Sequence, residues 1–161
     1  MKEVEIRTAE PIDTVEIASV LAESFAGYES LYTADAYAAT TPKSNVIRDR
    51  FGKGEMWVAV LDEKVVGTVS VVPENESLYI RSMAILPTAR GNEIGEQLLT
   101  KIEDYAVANG YRRLFLSTTP FLHRAISLYE NFGFQTNDEP PHELYGTPLI
   151  TMAKSLQVSN D

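Results

Sequence analysis

The chain of 161 residues contains no cysteine, which excludes a disulfide framework, thiolate metal ligation and a cysteine nucleophile together. Histidine is scarce too, at two residues, His123 and His142. Basic residues are in deficit. The 14 Lys and Arg against 23 Asp and Glu give a formal net charge of -9, which speaks against a protein that holds nucleic acid by neutralising phosphates. No apolar run approaches the ~18 residues of a membrane span. Met1-Lys2-Glu3-Val4-Glu5 does not begin a signal peptide, so a cytoplasmic location is expected. What is present, 44% hydrophobic residues with aromatics spread along the chain, suffices for a sizeable core, and the length is that of one domain over residues 1–161.

Residues 4–8 alternate apolar and polar and read as a half-buried strand. Asp13 with Glu16 three residues on reads as a capping box, opening a helix through Ile17, Val20, Leu21 and Phe25 that stops at Gly27. Across residues 28–45 the periodicity fades and Pro42 rules out one continuous helix, so a mobile or substrate-facing segment is expected. Residues 56–61 and 65–72, separated by Asp62-Glu63-Lys64, read as a hairpin, with a further strand over 78–86. The strongest helix runs from about residue 91 to 108, with Ile94, Leu98, Ile102, Tyr105 and Ala106 on one face. Residues 114–116 form the next strand, 122–132 a second amphipathic helix ending at Gly133, and 149–153 the last strand. Residues 135–148, holding Pro140-Pro141, Gly146 and Pro148, show no periodicity and read as a long loop. This order predicts an α/β domain whose central sheet is mixed and mostly antiparallel, with flanking helices.

The informative stretch is Ala84-Ile85-Leu86-Pro87-Thr88-Ala89-Arg90-Gly91-Asn92-Glu93-Ile94-Gly95, a strand that breaks at proline and turns into an amphipathic helix. The first amides of a helix have no intrahelical acceptor and sit at the positive end of its dipole, so a phosphate or pyrophosphate fits there. The glycines alone fit a tight strand-to-helix turn equally well.

With the rest of the chain, this arrangement resembles the GNAT superfamily of acyl-CoA-dependent N-acyltransferases over nearly the whole length. Two motifs carry the resemblance: Arg90-Gly91-Asn92-Glu93-Ile94-Gly95, similar to that family's pyrophosphate signature, and Ala125-Ile126-Ser127-Leu128-Tyr129-Glu130-Asn131-Phe132-Gly133-Phe134, similar to its second helix and turn. Two positions depart from the pattern. Glu93 stands where a signature glycine is usual, and Leu122 where many relatives carry a cofactor-contacting asparagine, with Thr118, Thr119 and Arg124 as substitutes. The resemblance implies acetyl-CoA as co-substrate, with no metal. It also implies that residues 90–95 hold the pyrophosphate, and that the backbone of Met83, Ala84 and Ile85 pairs with the pantetheine arm across a splayed strand pair. It places Tyr129 beside the sulfur, as the acid that protonates the departing thiolate. The plainer reading of Tyr129 is one more member of the apolar stripe begun by Leu122 and Ala125.

The general base is open. Tyr79 falls where relatives often carry a glutamate; Glu74 and Glu76 lie just upstream, while His142, Glu143 and Tyr145 sit on the late loop. His123 reads as a surface residue or phosphate neighbour. The expected reaction is direct transfer of an acetyl group to an amine, with a small cationic molecule as the favoured partner and a protein amino group as the alternative. A non-catalytic acyl-CoA-binding or regulatory domain is the competing class. No nucleic acid or membrane partner is expected, and a homodimer stands open. The acidity is uneven: residues 1–80 carry seven basic and 14 acidic side chains, residues 81–161 seven and nine. That polarity places Arg81, Arg90, Arg112, Arg113 and Arg124 around the cofactor and the acidic half where the acceptor enters.

Overall fold

The β-branched run through the middle of the chain is buried on both of its faces, and it organises everything else. The computed structural model describes residues 3–137 and 142–157. Met1, Lys2 and the Pro140-Pro141 pair lie outside the described residues. Within the described residues, β1 (Glu5–Thr8), β2 (Met56–Leu61), β3 (Lys64–Glu74) and β4 (Ser77–Ile85) pair antiparallel in sequence order. β4 then pairs in parallel with β5 (Arg113–Thr118), and β8 (Thr147–Ser155) runs antiparallel to β5. Two short strands, β6 (Gln135–Thr136) and β7 (His142–Leu144), pair with β8. The sheet is mixed and mostly antiparallel, as expected.

Period-2 alternation divides the core in two. Trp57, Val69, Val71, Leu78 and Leu114 pack under α4 (Ile94–Ala108), which buries Leu98, Leu99, Ile102 and Ala106. Val58, Val65 and Ala84 pack on the other side with Ile17, Val20 and Leu21 of α1 (Thr14–Phe25). Among the described residues no helix is long and apolar enough to cross a membrane.

Three readings of the sequence need correction, and a fourth, for residues 28–45, is made definite. Asp13 does not cap α1: its buried carboxylate takes two hydrogen bonds from Arg7 and one from the Glu10 amide, closing a 3-10 turn ahead of the helix, and the guanidinium holds Asp13 below the usual carboxylate range. Glu16 reaches instead to the Val65 amide. Residues 28–45 are built of regular turns, a 3-10 stretch over Ala26–Leu31 followed by α2 (Ala34–Thr40) and, after Pro42, α3 (Ser44–Arg48). Thr33 explains the order there, capping α2 by accepting from the Ala36 amide while its own amide donates to the Thr147 hydroxyl. The late loop contains β6 and β7, because Tyr145 and Gly146 both adopt positive φ and turn β7 back onto β8. Finally, α4 starts at Ile94 rather than near Gly91, after a 3-10 turn over Pro87–Ala89.

Candidate active site

The site originates in a fault in the sheet. β4 and β5 pair only from Ser77 to Ile80 against Arg113 to Leu116; beyond that β4 continues to Ile85 bonded to β3, and Ser117 and Thr118 bond to β8. The two strands part, and the expected splay is present. One residue is inserted into β4 at the same place, where the β3 register shifts between Thr68 and Ser70 and Ser82 is driven to φ +55°. A bulge with a non-glycine residue in the left-handed region marks stored local strain. The parted strands open a cleft of about 690 Å3.

At the α4 end the cleft is lined by Arg90, Gly91, Glu93, Ile94, Gly95 and Glu96. The amides from Gly91 to Glu96 meet no backbone acceptor among the described residues, so a run of donors is presented where the helix dipole is positive. Gly91 has φ +92°, which suits glycine. Gly95 serves packing, since a Cβ there would lie 2.6 Å from a Leu128 methyl. Asn92 points its amide to the Ala89 carbonyl at 2.8 Å and closes the loop on itself. Glu93 is the N-cap residue at φ +57°, exposed and with no capping hydrogen bond. This arrangement of amides fits a pyrophosphate, and the edge of Met83, Ala84 and Ile85, free of β5 though the Ile85 carbonyl accepts from the Ser24 hydroxyl at 3.0 Å, fits an extended amide-bearing chain.

Tyr129, on α5 (His123–Asn131), lines the cleft 7% exposed, and its hydroxyl makes no hydrogen bond among the described residues. Burial above all, and nearby Tyr32 in addition, push its phenol up from the ordinary value. Tyr79 also lines the cleft, its ring 5.1 Å from that of Phe115, and burial raises its phenol as well. It holds its proton at neutral pH and does not replace a carboxylate base. Glu74, Glu76, Glu143 and Tyr145 do not line the cleft, nor does exposed His123. His142 is better placed: its Nε2 lies 3.2 Å from the Ser117 hydroxyl, and Ser117 lines the cleft at the splay. Thr118, Thr119, Leu122 and Arg124 all reach the cleft wall.

The expected distribution of charge is only half present. Arg81, Arg90 and Arg124 line the cleft, but Arg112 faces Glu76 at 3.9 Å and Arg113 stacks on Phe115 at 5.0 Å, because the start of β5 lies at the paired end of the strands. Arg50, which the sequence does not single out, comes in from beyond α3 and donates from Nη1 to the Ser82 hydroxyl at 2.8 Å. Burial, with the charge of Arg81 beside it, lowers the Arg50 pKa to about 10. The same cleft carries an aromatic wall of Phe25, Tyr28 and Tyr32, backed by Phe121, whose ring is 5.0 Å from that of Tyr32. No local pattern announces Arg50, Ser82 or Ser117, whereas Tyr28 and Tyr32 lie in the segment expected to be mobile or to face substrate.

Comparison with known proteins agrees with this geometry. The profile described as Acetyltransferase (GNAT) family matches residues 18–134. The chain is 34% identical over 86 residues to an uncharacterized N-acetyltransferase, YjgM, of Escherichia coli K12, covering 51% of this chain and 52% of that protein. It is 39% identical over 90 residues to the IAA acetyltransferase of Azospirillum brasilense, covering 55% and 58%. The chain thus spans about half the length of the curated relatives it matches. In fold it is similar to the PaiA N-acetyltransferase of Thermoplasma acidophilum in complex with coenzyme A, with a TM-score of 0.80 at 18% identity over 96% of this chain and 99% of that one. With the splayed β4–β5 pair, the free amides leading into α4 and a family match across most of its length, the chain belongs to the GNAT acetyltransferase family.

Proposed function

We propose that the chain is an N-acetyltransferase that takes acetyl-CoA and transfers the acetyl group directly to the amine of a small molecule. The observation that carries this reading is the unpaired reach of β4, running from the bulge at Ser82 to the free amides at Gly91–Glu96, with an unpartnered phenol on the same cleft. In this reading the amides of residues 91–96 hold the pyrophosphate, with Arg90 and Arg124 beside it, and Met83, Ala84 and Ile85 pair with the pantetheine arm. The co-substrate supplies an activated acetyl thioester.

Tyr129 supplies a proton where the sulfur leaves. Burial keeps the phenol protonated, and the same water-poor setting disfavours a thiolate, so the proton moves between two groups that both lose by being charged there. Through Ser117, His142 takes the ammonium's first proton before attack. The C–N bond then forms as the C–S bond breaks, and the thiolate takes the phenol's proton. The second proton the nitrogen sheds on becoming an amide restores it to Tyr129, so that the one net proton leaves from His142 to solvent. The acidic net charge draws an ammonium-bearing acceptor toward the protein at long range.

The test is thiol release from acetyl-CoA by the purified chain with a panel of small amines. Release above the hydrolytic background with at least one amine, lost in Tyr129→Phe, is expected. Binding of CoA with no release for any amine would leave a non-catalytic acyl-CoA-binding domain instead.

A further inference from the structure

Arg50 and Arg81 are the least balanced charges in the cleft. Among the described residues neither guanidinium pairs with a carboxylate. Among the described residues the one hydrogen bond made by either side chain is that of Arg50 to the Ser82 hydroxyl, and the buried Arg81 Nε has no partner. Two neighbouring, half-buried cations, one with a buried orphaned donor, are costly as they stand and become favourable when an anion lies between them. The carboxylates on the cleft wall do not fill that place. Glu93 and Glu96 sit at the start of α4, whereas Arg81 lies four residues back along β4 from Ile85, about 13 Å at strand rise.

We propose that the amine acceptor carries a carboxylate, received by Arg50 and Arg81 at the Ser82 bulge, so that the substrate class is an amino acid. The proposal rests on the acetyltransferase reading and narrows it. Guanidinium forks match the two oxygens of a carboxylate, and a pair of them selects against an acceptor that is only cationic. Such an acceptor has both signs: its ammonium group is drawn by the acidic exterior, and its carboxylate is what the interior reads. Phe25, Tyr28 and Tyr32 offer apolar surface to the acceptor's side chain, which favours amino acids with apolar or aromatic side chains.

The experiment compares matched acceptors first on the wild-type chain, where the proposal stands or falls without any variant, and then on arginine variants. Thiol release at saturating acetyl-CoA is measured for the proteinogenic amino acids, for the amines left by removing their carboxylates (phenylalanine against 2-phenylethylamine, leucine against isopentylamine), and for phosphoethanolamine. At least a tenfold higher kcat/KM for the acid than for its decarboxylated partner is expected. In Arg50→Gln and Arg81→Gln that ratio should fall at least tenfold, through the KM of the acid rather than kcat, with Arg50→Lys keeping part of it. Decarboxylated amines that react as well as their parent acids overturn the proposal while leaving the acetyltransferase reading intact. A preference for phosphoethanolamine overturns the carboxylate assignment in favour of a phosphate. No release with any acceptor removes both readings.

Discussion

At its α4 end the cleft offers backbone amides, Gly91 to Glu96, from one uninterrupted stretch of chain; at its bulge end it offers side chains, Arg50 and Arg81, from segments some thirty residues apart. Both ends suit an anion, by different means. Amides at a helix start are set by a local turn and remain whatever side chains they carry, which is why Glu93 can stand beside them at φ +57° without removing a donor. The bulge end depends on long-range packing: α3 must dock for Arg50 to reach Ser82, and the strand insertion must put Ser82 at φ +55° to receive it. Tyr129 stands apart from both as the one proposed proton donor, so changes there should read out in kcat, and changes at either end in the KM of one substrate.

The largest effect is therefore expected at Tyr129. Replacement by Phe should lower kcat by about 10²- to 10³-fold while the KM for acetyl-CoA moves far less. The sign of the pH dependence follows from burial: an ordinary phenol is half ionised near pH ~10, whereas this one is raised above that and still carries its proton. The wild-type kcat profile should accordingly show no falling limb up to pH ~10. A limb with its midpoint at or below pH ~10 that disappears in Tyr129→Phe would show that burial does not raise the phenol. A smaller loss, about tenfold in kcat/KM for the acceptor at neutral pH, is expected for His142→Ala, shrinking at alkaline pH where the amine arrives already deprotonated. An equal loss at all pH values would assign His142 a structural part in holding Ser117.

These two ends were not equally legible. The anion site at α4 is written in one contiguous run, Pro87 to Gly95, where strand end, proline, turn and amphipathic helix follow each other, and the core positions Leu98, Ile102 and Ala106 repeat at helical spacing. The mixed sheet followed from hairpins placed ahead of two crossover helices, whereas the splay was implied only by the family resemblance. Arg50 lies in no periodic element, and its use depends on a bulge that nothing in Arg81-Ser82-Met83 foretells, since the left-handed region usually belongs to glycine. The capping role of Asp13 was lost to Arg7, a competitor six residues upstream with a stronger, charge-assisted claim on the carboxylate. Thr33, the cap that orders residues 28–45, was a cap signal overlooked among weak periodicity.

The smallest effect separates the ends most sharply. Glu93 carries a left-handed backbone angle that costs a non-glycine residue about 1 kcal/mol, and its carboxylate is exposed next to amides that would hold a pyrophosphate. Glu93→Gly relieves the first and removes the second. Part of the backbone gain is offset by the greater freedom of glycine in the unfolded chain, so urea unfolding should show a net gain of about 0.5 kcal/mol. Affinity for CoA, by calorimetry, should rise about threefold at low ionic strength, and by less as salt screens the charge that was removed. Because the amides belong to the α4 turn and the guanidiniums to the bulge, this gain should appear in the KM for acetyl-CoA and leave the ranking of acids over decarboxylated amines where it was. If Glu93→Gly reorders the acceptors as strongly as Arg50→Gln does, the two ends are one electrostatic unit, and the division between a backbone site and a side-chain site falls.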